Sequence, residues 1–231
     1  MAAPVVIGTP VSFQDNTTHS GAFNVTTYTH TTSGQNNGLV VMYVANQATN
    51  VSGMTWNGTA MTRISNFPGV SSGNGQLWFL AAPADGNNTL AVTESVSTAW
   101  RNIVVFSLKD VAQTSTLDVQ NQSNGSSNTG STSVTTTVDN DLILTFCSIG
   151  TTASGIAVQG SQVQIIAPFQ GAGNPWTASS SLEKTTAGAQ STGFDWTTST
   201  VFDIFASAVK YIAPTPVASA RSNGFTLLGV G

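Results

Sequence analysis

The chain has 231 residues and a formal net charge of −4 at pH 7. Charged residues make up only 7% of it, against about a quarter in an ordinary soluble domain, while hydrophobic residues reach 40%. The hydrophobic content excludes a disordered chain, and six scattered basic residues exclude the electrostatic surface that nucleic-acid binding requires. We therefore expect a folded protein whose surface is kept hydrated by Ser, Thr, Asn and Gln.

The first residues of the chain and its single cysteine help to predict where the protein is located. Residues 1–8 contain neither a basic nor a long apolar region, so no secretory signal is predicted. No stretch approaches the roughly twenty consecutive apolar residues of a transmembrane helix. Cys147 lies in the apolar run 142–147 and is predicted to be a buried core residue. A protein that is made in a host cytoplasm and released by lysis fits these observations, which favours a virion location over an extracellular one.

Strand patterns fill the chain, and sustained helical periodicity is missing. Short β-branched or aromatic runs recur between clusters of Gly, Asn, Ser and Asp, which is typical of a sandwich or a barrel. In chain order, strands are predicted over 5–13, 21–30, 38–45, 54–56, 60–64, 76–81, 88–94, 101–108, 132–137, 141–149, 163–168, 176–184, 193–197 and 201–211. The fold class that these runs predict is all-β.

One turn in the first half has a clear signature. Asn57 and Gly58 stand between the short alternating runs 54–56 and 60–62. Asn-Gly readily adopts the two positive φ values of a type I′ turn, the turn that fits the twist of a hairpin. A hairpin is therefore predicted there.

Three further segments were assigned from their composition. The turn 85–88 is predicted to close 77–81 onto 90–93. Asp139 and Asn140 are predicted to lead into a buried strand that starts at residue 141. The run 120–133 is almost entirely Ser, Asn and Gly, which predicts a mobile surface loop within one domain.

The chain divides into one domain, 1–212, and a terminal segment, 213–231. Pro214 and Pro216 make the exit from the domain extended and stiff. The end of the segment is apolar, whereas frayed ends are usually polar, and it is predicted to cover the domain's own edge strand or to pair with a neighbour's sheet edge. The residues assigned to this assembly contact are Phe225, Leu227, Leu228 and Val230.

The order of landmarks over 20–211 resembles a known family. The landmarks include the hairpin TW-NG-x-A-M-T at 55–62 and the strand LW-x-L-x-x-P at 77–83. They resemble jelly-roll β-sandwich domains found in virion proteins of tailed phages and in extracellular bacterial proteins. The resemblance implies an antiparallel jelly-roll β-sandwich, here with an extended C-terminal arm, and a role in assembly or attachment. No catalytic motif carries over from it.

Patterns for catalysis are missing from the sequence. Glycan hydrolysis needs two facing carboxylates, but Glu94 and Glu183 lie in strand-like runs without an aromatic cleft motif. Serines are abundant, and His19 or His30 could act as a base, but no nucleophile turn is present. The chain is therefore predicted not to be an enzyme, and His30 is predicted to face solvent or to be hydrogen-bonded.

Metal-binding patterns are equally weak. Two isolated histidines and one cysteine do not form a zinc site. The acidic turns 85–88 and 139–141 offer fewer oxygen ligands than a dedicated calcium site uses, so they are predicted to bond their own backbone. No cofactor and no metal are predicted.

The five tryptophans fall into two groups. Trp56, Trp78 and Trp196 lie inside predicted strands and are assigned to the core. Trp100 precedes a strand, and Trp176 follows a Gly-rich loop, so these two are the candidates for contact with a ligand.

These features predict a non-enzymatic structural virion protein of a tailed phage, either a capsid decoration protein or a fibre subunit. Its partners would be other copies of itself or other virion proteins, with no nucleic acid and no membrane. One alternative is a carbohydrate-binding or adhesin module for surface glycans, served by the amide-rich segments 66–75, 120–133 and 169–176. Another is a subunit of an extracellular bacterial filament.

Overall fold

The computed structural model describes residues 3–15, 19–30, 36–46, 51–68, 73–171 and 173–213. Within these ranges the chain forms antiparallel strands and no helix, which confirms the all-β prediction. The strands of the first half are β1 (Val5–Asp15), β2 (His19–His30), β3 (Gly38–Ala45), β4 (Val51–Trp56), β5 (Thr59–Ala60), β6 (Thr62–Phe67), β7 (Asn74–Ala81), β8 (Gly86–Thr98) and β9 (Arg101–Lys109). Those of the second half are β10 (Leu117–Thr136), β11 (Asp141–Ile149), β12 (Ala157–Val158), β13 (Val163–Gln170), β14 (Trp176–Lys184) and β15 (Gly188–Val209).

These strands form three sheets. The central sheet has the order β1-β9-β3-β7-β6, the outer sheet β2-β8-β4-β5, and the large sheet β10-β15-β11-β14-β13, with β12 paired to β15. Successive side chains of a strand point to opposite faces. Leu39 and Val41 of β3 therefore join a core with the outer sheet, while Val40 and Met42 join a core with the large sheet. The middle strands of the central sheet, β3 and β9, are therefore buried on both faces.

The large sheet folds back over itself. Its longest strands, β10 and β15, pair along most of their length. A register shift between Ser127 and Thr129 leaves residues 196–199 of β15 without partners on β10, which is the kind of irregularity that bends a ladder. The side chain of Asn121 donates to the backbone oxygen of Ser133 at 2.7 Å, so the two halves of β10 face each other. The folded-back part encloses a separate core around Phe194 and Trp196.

The two halves of the chain repeat one strand arrangement. In chain order, the strands of the central sheet correspond to those of the large sheet, and the two sheets have the same sequence of neighbours. The registers also agree: Leu108 pairs with Gly38 in the first half, as Val209 pairs with Leu142 in the second. The fold is therefore an internal repeat, and the faces that meet in the shared core are equivalent faces of the two copies.

Contacts between the repeats follow this equivalence. Asn102 and Asp203 hold equivalent register positions on β9 and β15. Asn102 Nδ2 donates to the backbone oxygen of Pro175 at 3.2 Å, and the backbone N–H of Gly73 donates to Asp203 Oδ2 at 3.2 Å. Thus β9 bonds to the segment that leads into β14 of the second repeat, and its equivalent β15 bonds to the segment that leads into β7 of the first. These two bonds join the halves at opposite ends of a pseudo-twofold arrangement.

Several local predictions are confirmed. Asn57 and Gly58 have φ values of 48° and 78° and join β4 to β5 as a hairpin. The strand that starts at Asp141 is buried along its whole length. Cys147 is fully enclosed. The tryptophans assigned to the core are buried: Trp56, Trp78 and Trp196.

Two predictions about turns and loops are wrong. The turn 85–88 does not close a hairpin, because β7 belongs to the central sheet and β8 to the outer sheet, and the connection crosses between them. The run 120–133 is not a loop but most of β10. Small residues are required there, since a Cβ on Gly130 would lie 2.8 Å from the ring of Phe202. The small residues that are typical of loops are needed in this strand because larger side chains would not fit where it folds back.

A close approach at Gly75 gives a test of the shared core. A Cβ at this position would lie 2.7 Å from Cδ2 of Phe205, and that ring is held against Phe67 and Phe146 at centroid distances of 5.3 and 5.1 Å. We expect Gly75→Ala to lower the free energy of unfolding by about 1–3 kcal/mol through overpacking, measured by urea denaturation. Gly53→Ala is the matched control, because a Cβ there meets nothing within 4 Å. Equal midpoints for the two variants would contradict the packing described.

Candidate functional site

The charged residues of the outer core form a closed network. Arg101 donates from Nε to Glu94 Oε1 at 2.8 Å and from Nη2 to Glu94 Oε2 at 3.1 Å. Its Nη1 donates to Asp15 Oδ2 at 2.7 Å, and Tyr43 donates to Glu94 Oε1. Burial, and then the carboxylate of Glu94, raises the pKa of Tyr43. Arg101, Glu94 and Tyr43 are buried, Asp15 is partly buried, and the four groups satisfy one another. The network therefore links the central and outer sheets rather than forming a site open to a ligand.

A serine, a histidine and an aspartate also come together. His30 Nδ1 lies 2.6 Å from Ser107 Oγ, which is 3.0 Å from the hydroxyl of Tyr28. His30 Nε2 lies 3.9 Å from Asp85 Oδ1. Burial lowers the pKa of His30, although Asp85 opposes that change. Ser107 and His30 are buried, so the hydroxyl offers no route for a substrate, and His30 is hydrogen-bonded, one of its two predicted states.

Two carboxyl groups meet at the start of β10 and β11. Asp141 is buried, and its carboxyl group is hydrogen-bonded to that of Asp118. Burial, and then the neighbouring Asp118, raises the pKa of Asp141 to about 7. Burial alone would raise the pKa of Asp118 too, but hydrogen bonds from the side chain and backbone of Thr137 hold it below its usual value. Because the two pKa values shift in opposite directions, we interpret the pair as a protonated Asp141 and an ionised Asp118.

A polar cleft of about 460 Å³ opens where the central and outer sheets meet at β6. Arg63 and Trp78 are directly opposed across β6 and β7, and side chains opposed in this way lie on the same face. The guanidinium therefore sits over the indole, 5.8 Å from its centroid. Asn66 and Gln76 are the next opposed pair on this face and are joined by a hydrogen bond of 3.2 Å. We call this site the Arg63 cleft; its lining residues are Val51, Ser52, Arg63, Asn66, Trp78 and Ser95.

The sequence analysis missed Arg63 as a site residue. Its role depends on the pairing of β6 with β7, and that pairing contains a register shift between Arg63 and Ser65. Only two signals were available beforehand: an arginine in a chain with few charges, and the amide-rich segment 66–75, which includes Asn66.

Two apolar clefts lie where the edges of the central and large sheets meet. The larger, of about 430 Å³, lies between β1 and the β13–β14 pair and includes Pro4, Val6, Leu142, Val163 and Leu182. We call it the β1/β13 cleft. The smaller, of about 310 Å³, lies between the β6–β7 pair and residues 113–117. The internal repeat relates the two clefts, since both are built from equivalent strands.

The predicted ligand-contact residues have partly buried positions. Trp100 packs against the core between the central and large sheets, and Trp176 packs against the core of the folded-back region. Nε1 of Trp176 is enclosed and lacks a hydrogen-bond partner among the described residues. The structure places neither of them in the Arg63 cleft, and their contact with a ligand stays a prediction. The predicted assembly residues, Phe225, Leu227, Leu228 and Val230, lie outside the described residues.

Comparison with known proteins adds no assignment. The chain matches no family model, no curated protein and no solved structure. The resemblance to phage and extracellular jelly-roll domains therefore stays a prediction. In the part of the chain that the structure describes, no helix is long and apolar enough to cross a membrane.

The raised pKa of Asp141 predicts a pH dependence of stability. The folded state holds a proton that the unfolded chain releases near pH 3.8, so the contribution of Asp141 to the free energy of unfolding falls as the pH rises from about 4 to 7. The slope has an upper limit of about 1.4 kcal/mol per pH unit, the value for one proton. We expect Asp141→Asn to remove this loss and to be more stable than the unsubstituted protein at pH 8, measured by denaturant unfolding across pH.

The difference between the two proteins removes the contribution of His30, which titrates in both, and reports the coupled pair of Asp141 and Asp118. Parallel stability curves from pH 4 to 8 would show that Asp141 is ionised throughout and would contradict the interpretation of the pair.

Proposed function

We propose that this chain is a non-enzymatic structural subunit of a tailed-phage virion, a capsid decoration protein or a fibre subunit, that assembles with copies of itself. The observation that carries the proposal is the β1/β13 cleft. Val163 on its wall is 67% exposed, and apolar residues on the remaining walls come from both repeats. We infer that a second copy covers Val163 and its apolar neighbours in this cleft, because contiguous apolar surface is favourable to bury.

We also infer that each repeat is a jelly roll. The strand order supports this inference: in the first repeat, β1, β9, β3 and β7 lie in one sheet, and β2, β8 and β4 lie in the other. The first strand, β1, thus lies beside the last, β9, in one sheet, and β2 lies beside β8 in the other. Two interlocked Greek keys require this arrangement. The second repeat supports the same arrangement, with β10 and β15 each running through both layers as one continuous strand.

The C-terminal segment is the proposed occupant of the cleft in a neighbouring copy. Residues 211–213 lie beside the end of β9, where the backbone N–H of Ile212 donates to the oxygen of Asp110 at 3.0 Å. Val5 at the cleft pairs with Lys109 at the same end of β9. The ten residues between 213 and 224 span up to about 35 Å when extended, which is enough to reach a second molecule. An added apolar segment at an exposed sheet edge is a common mode of assembly.

Charge placed in the cleft tests this proposal. We expect the full chain to form oligomers in light scattering behind size exclusion, and Val163→Asp to dissociate them, because docking would desolvate a carboxylate. Val201→Asp is the matched control, since Val201 is also exposed, at 42%, but lines neither apolar cleft. A full-length chain in which Phe225, Leu227, Leu228 and Val230 are all replaced by Ser should be monomeric as well. A monomeric unsubstituted chain, or oligomers that survive Val163→Asp, would contradict assembly through this cleft.

A further inference from the structure

We propose that the Arg63 cleft binds the carboxylate of an acidic saccharide, such as a uronic or sialic acid unit. The site goes beyond the assembly role, and it lies on the opposite face of the central sheet from the core that joins the two repeats.

The guanidinium of Arg63 is available to bind an anion. Among the described residues no carboxylate lies within 4.0 Å of its guanidinium, and its one hydrogen bond, to the backbone oxygen of Val51, is long at 3.5 Å. The guanidinium lies over the indole ring of Trp78, 5.8 Å from its centroid, a contact that helps to hold it in place. The N–H donors on its rim stay available, and their fork matches the two oxygens of a carboxylate.

A chain of hydrogen bonds fixes a second donor beside Arg63. The indole N–H of Trp78 can only donate, and it donates to Gln76 Oε1 at 3.0 Å. Gln76 must therefore present Nε2 to Asn66, whose Oδ1 accepts at 3.2 Å. This leaves the Nδ2 group of Asn66, an exposed residue, as the donor that faces a ligand. A fixed amide donor beside an arginine suits a carboxylate that is next to a hydroxyl or ring oxygen.

The size and charge of the cleft select the class of anion. Its volume of about 460 Å³ lies in the usual range of about 300–1,000 Å³ for small-molecule sites and exceeds the need of an inorganic ion. A phosphate monoester carries about −1.5 to −2 charges at neutral pH, but Arg63 is the one basic residue among the lining residues of this cleft. Ser95 and Ser52, whose hydroxyl donates to the backbone oxygen of Thr93 at 3.1 Å, also line the cleft, and this polar lining suits a singly charged, hydroxylated ligand.

Calorimetric titration of the full chain tests this site. The acidic probes are trigalacturonate and 3′-sialyllactose, the neutral probes are galactotriose and lactose, and inorganic phosphate is the simple anion. We expect at least one acidic saccharide to bind, and at least tenfold more tightly than its neutral counterpart or phosphate. Arg63→Gln should weaken that binding at least tenfold, and Arg63→Lys should recover only part of it, because lysine keeps the charge but loses the fork.

Two further variants complete the design. Lys184→Gln removes an equal charge outside the cleft and should leave binding unchanged. Asn66→Asp replaces the Nδ2 donor by a negative charge and should abolish binding. Thermal unfolding of each variant checks that the fold is retained; Arg63 and Asn66 are exposed. The proposal is overturned if neither acidic saccharide binds at up to about 10 mM, tenfold above a weak dissociation constant of about 1 mM. Equal binding of neutral sugars, or binding that Arg63→Gln does not change, would overturn it as well.

Discussion

Burial of the middle strands of the central sheet on both faces is the constraint on which the rest of this structure depends. β3 and β9 have no exposed face, so their sequences read as continuous apolar runs rather than as an alternation of apolar and polar residues. The charged and polar groups that these strands do carry must find partners inside the protein. Arg101 meets Glu94, and Asn102 meets the opposite repeat. On the central sheet, polar groups that a ligand can reach therefore lie at the edges, and the Arg63 cleft and the two apolar clefts are found there.

The internal repeat explains why one chain builds two sheets of the same order, and it could not be seen in the sequence. The equivalent strand segments 102–109 and 203–210 share only Ile103 with Ile204 and Lys109 with Lys210. The two copies share the pattern of burial: even-numbered residues of β9 and the equivalent odd-numbered residues of β15 point into the same core. A buried face constrains volume and hydrophobicity more strongly than identity. The sequences of two copies that pack through equivalent faces can therefore diverge until only the strand order shows that they are related.

Local rules predicted the parts of the fold that local physics decides. The turn at Asn57 and Gly58, the buried strand from Asp141 and the core tryptophans each depend on a few neighbouring residues. The segment 120–133 was misassigned because Gly and Ser are typical of loops, whereas here they make room for Phe202 and for a strand that faces itself. The Arg63 cleft lay beyond sequence reasoning for a similar reason. Its geometry comes from a shifted register between β6 and β7 and from an outer sheet contributed by other parts of the chain.

The central claim of this account is that the two repeats share one core and open as one unit. Native-state hydrogen exchange at increasing denaturant tests it most directly, because it reports the free energy of opening for each strand. The account predicts that the slowest amides of β3 and β11 exchange with the same opening free energy and the same denaturant dependence. Opening of β11 at a clearly lower free energy, with β3 still protected, would show that the repeats fold separately and would contradict the shared core.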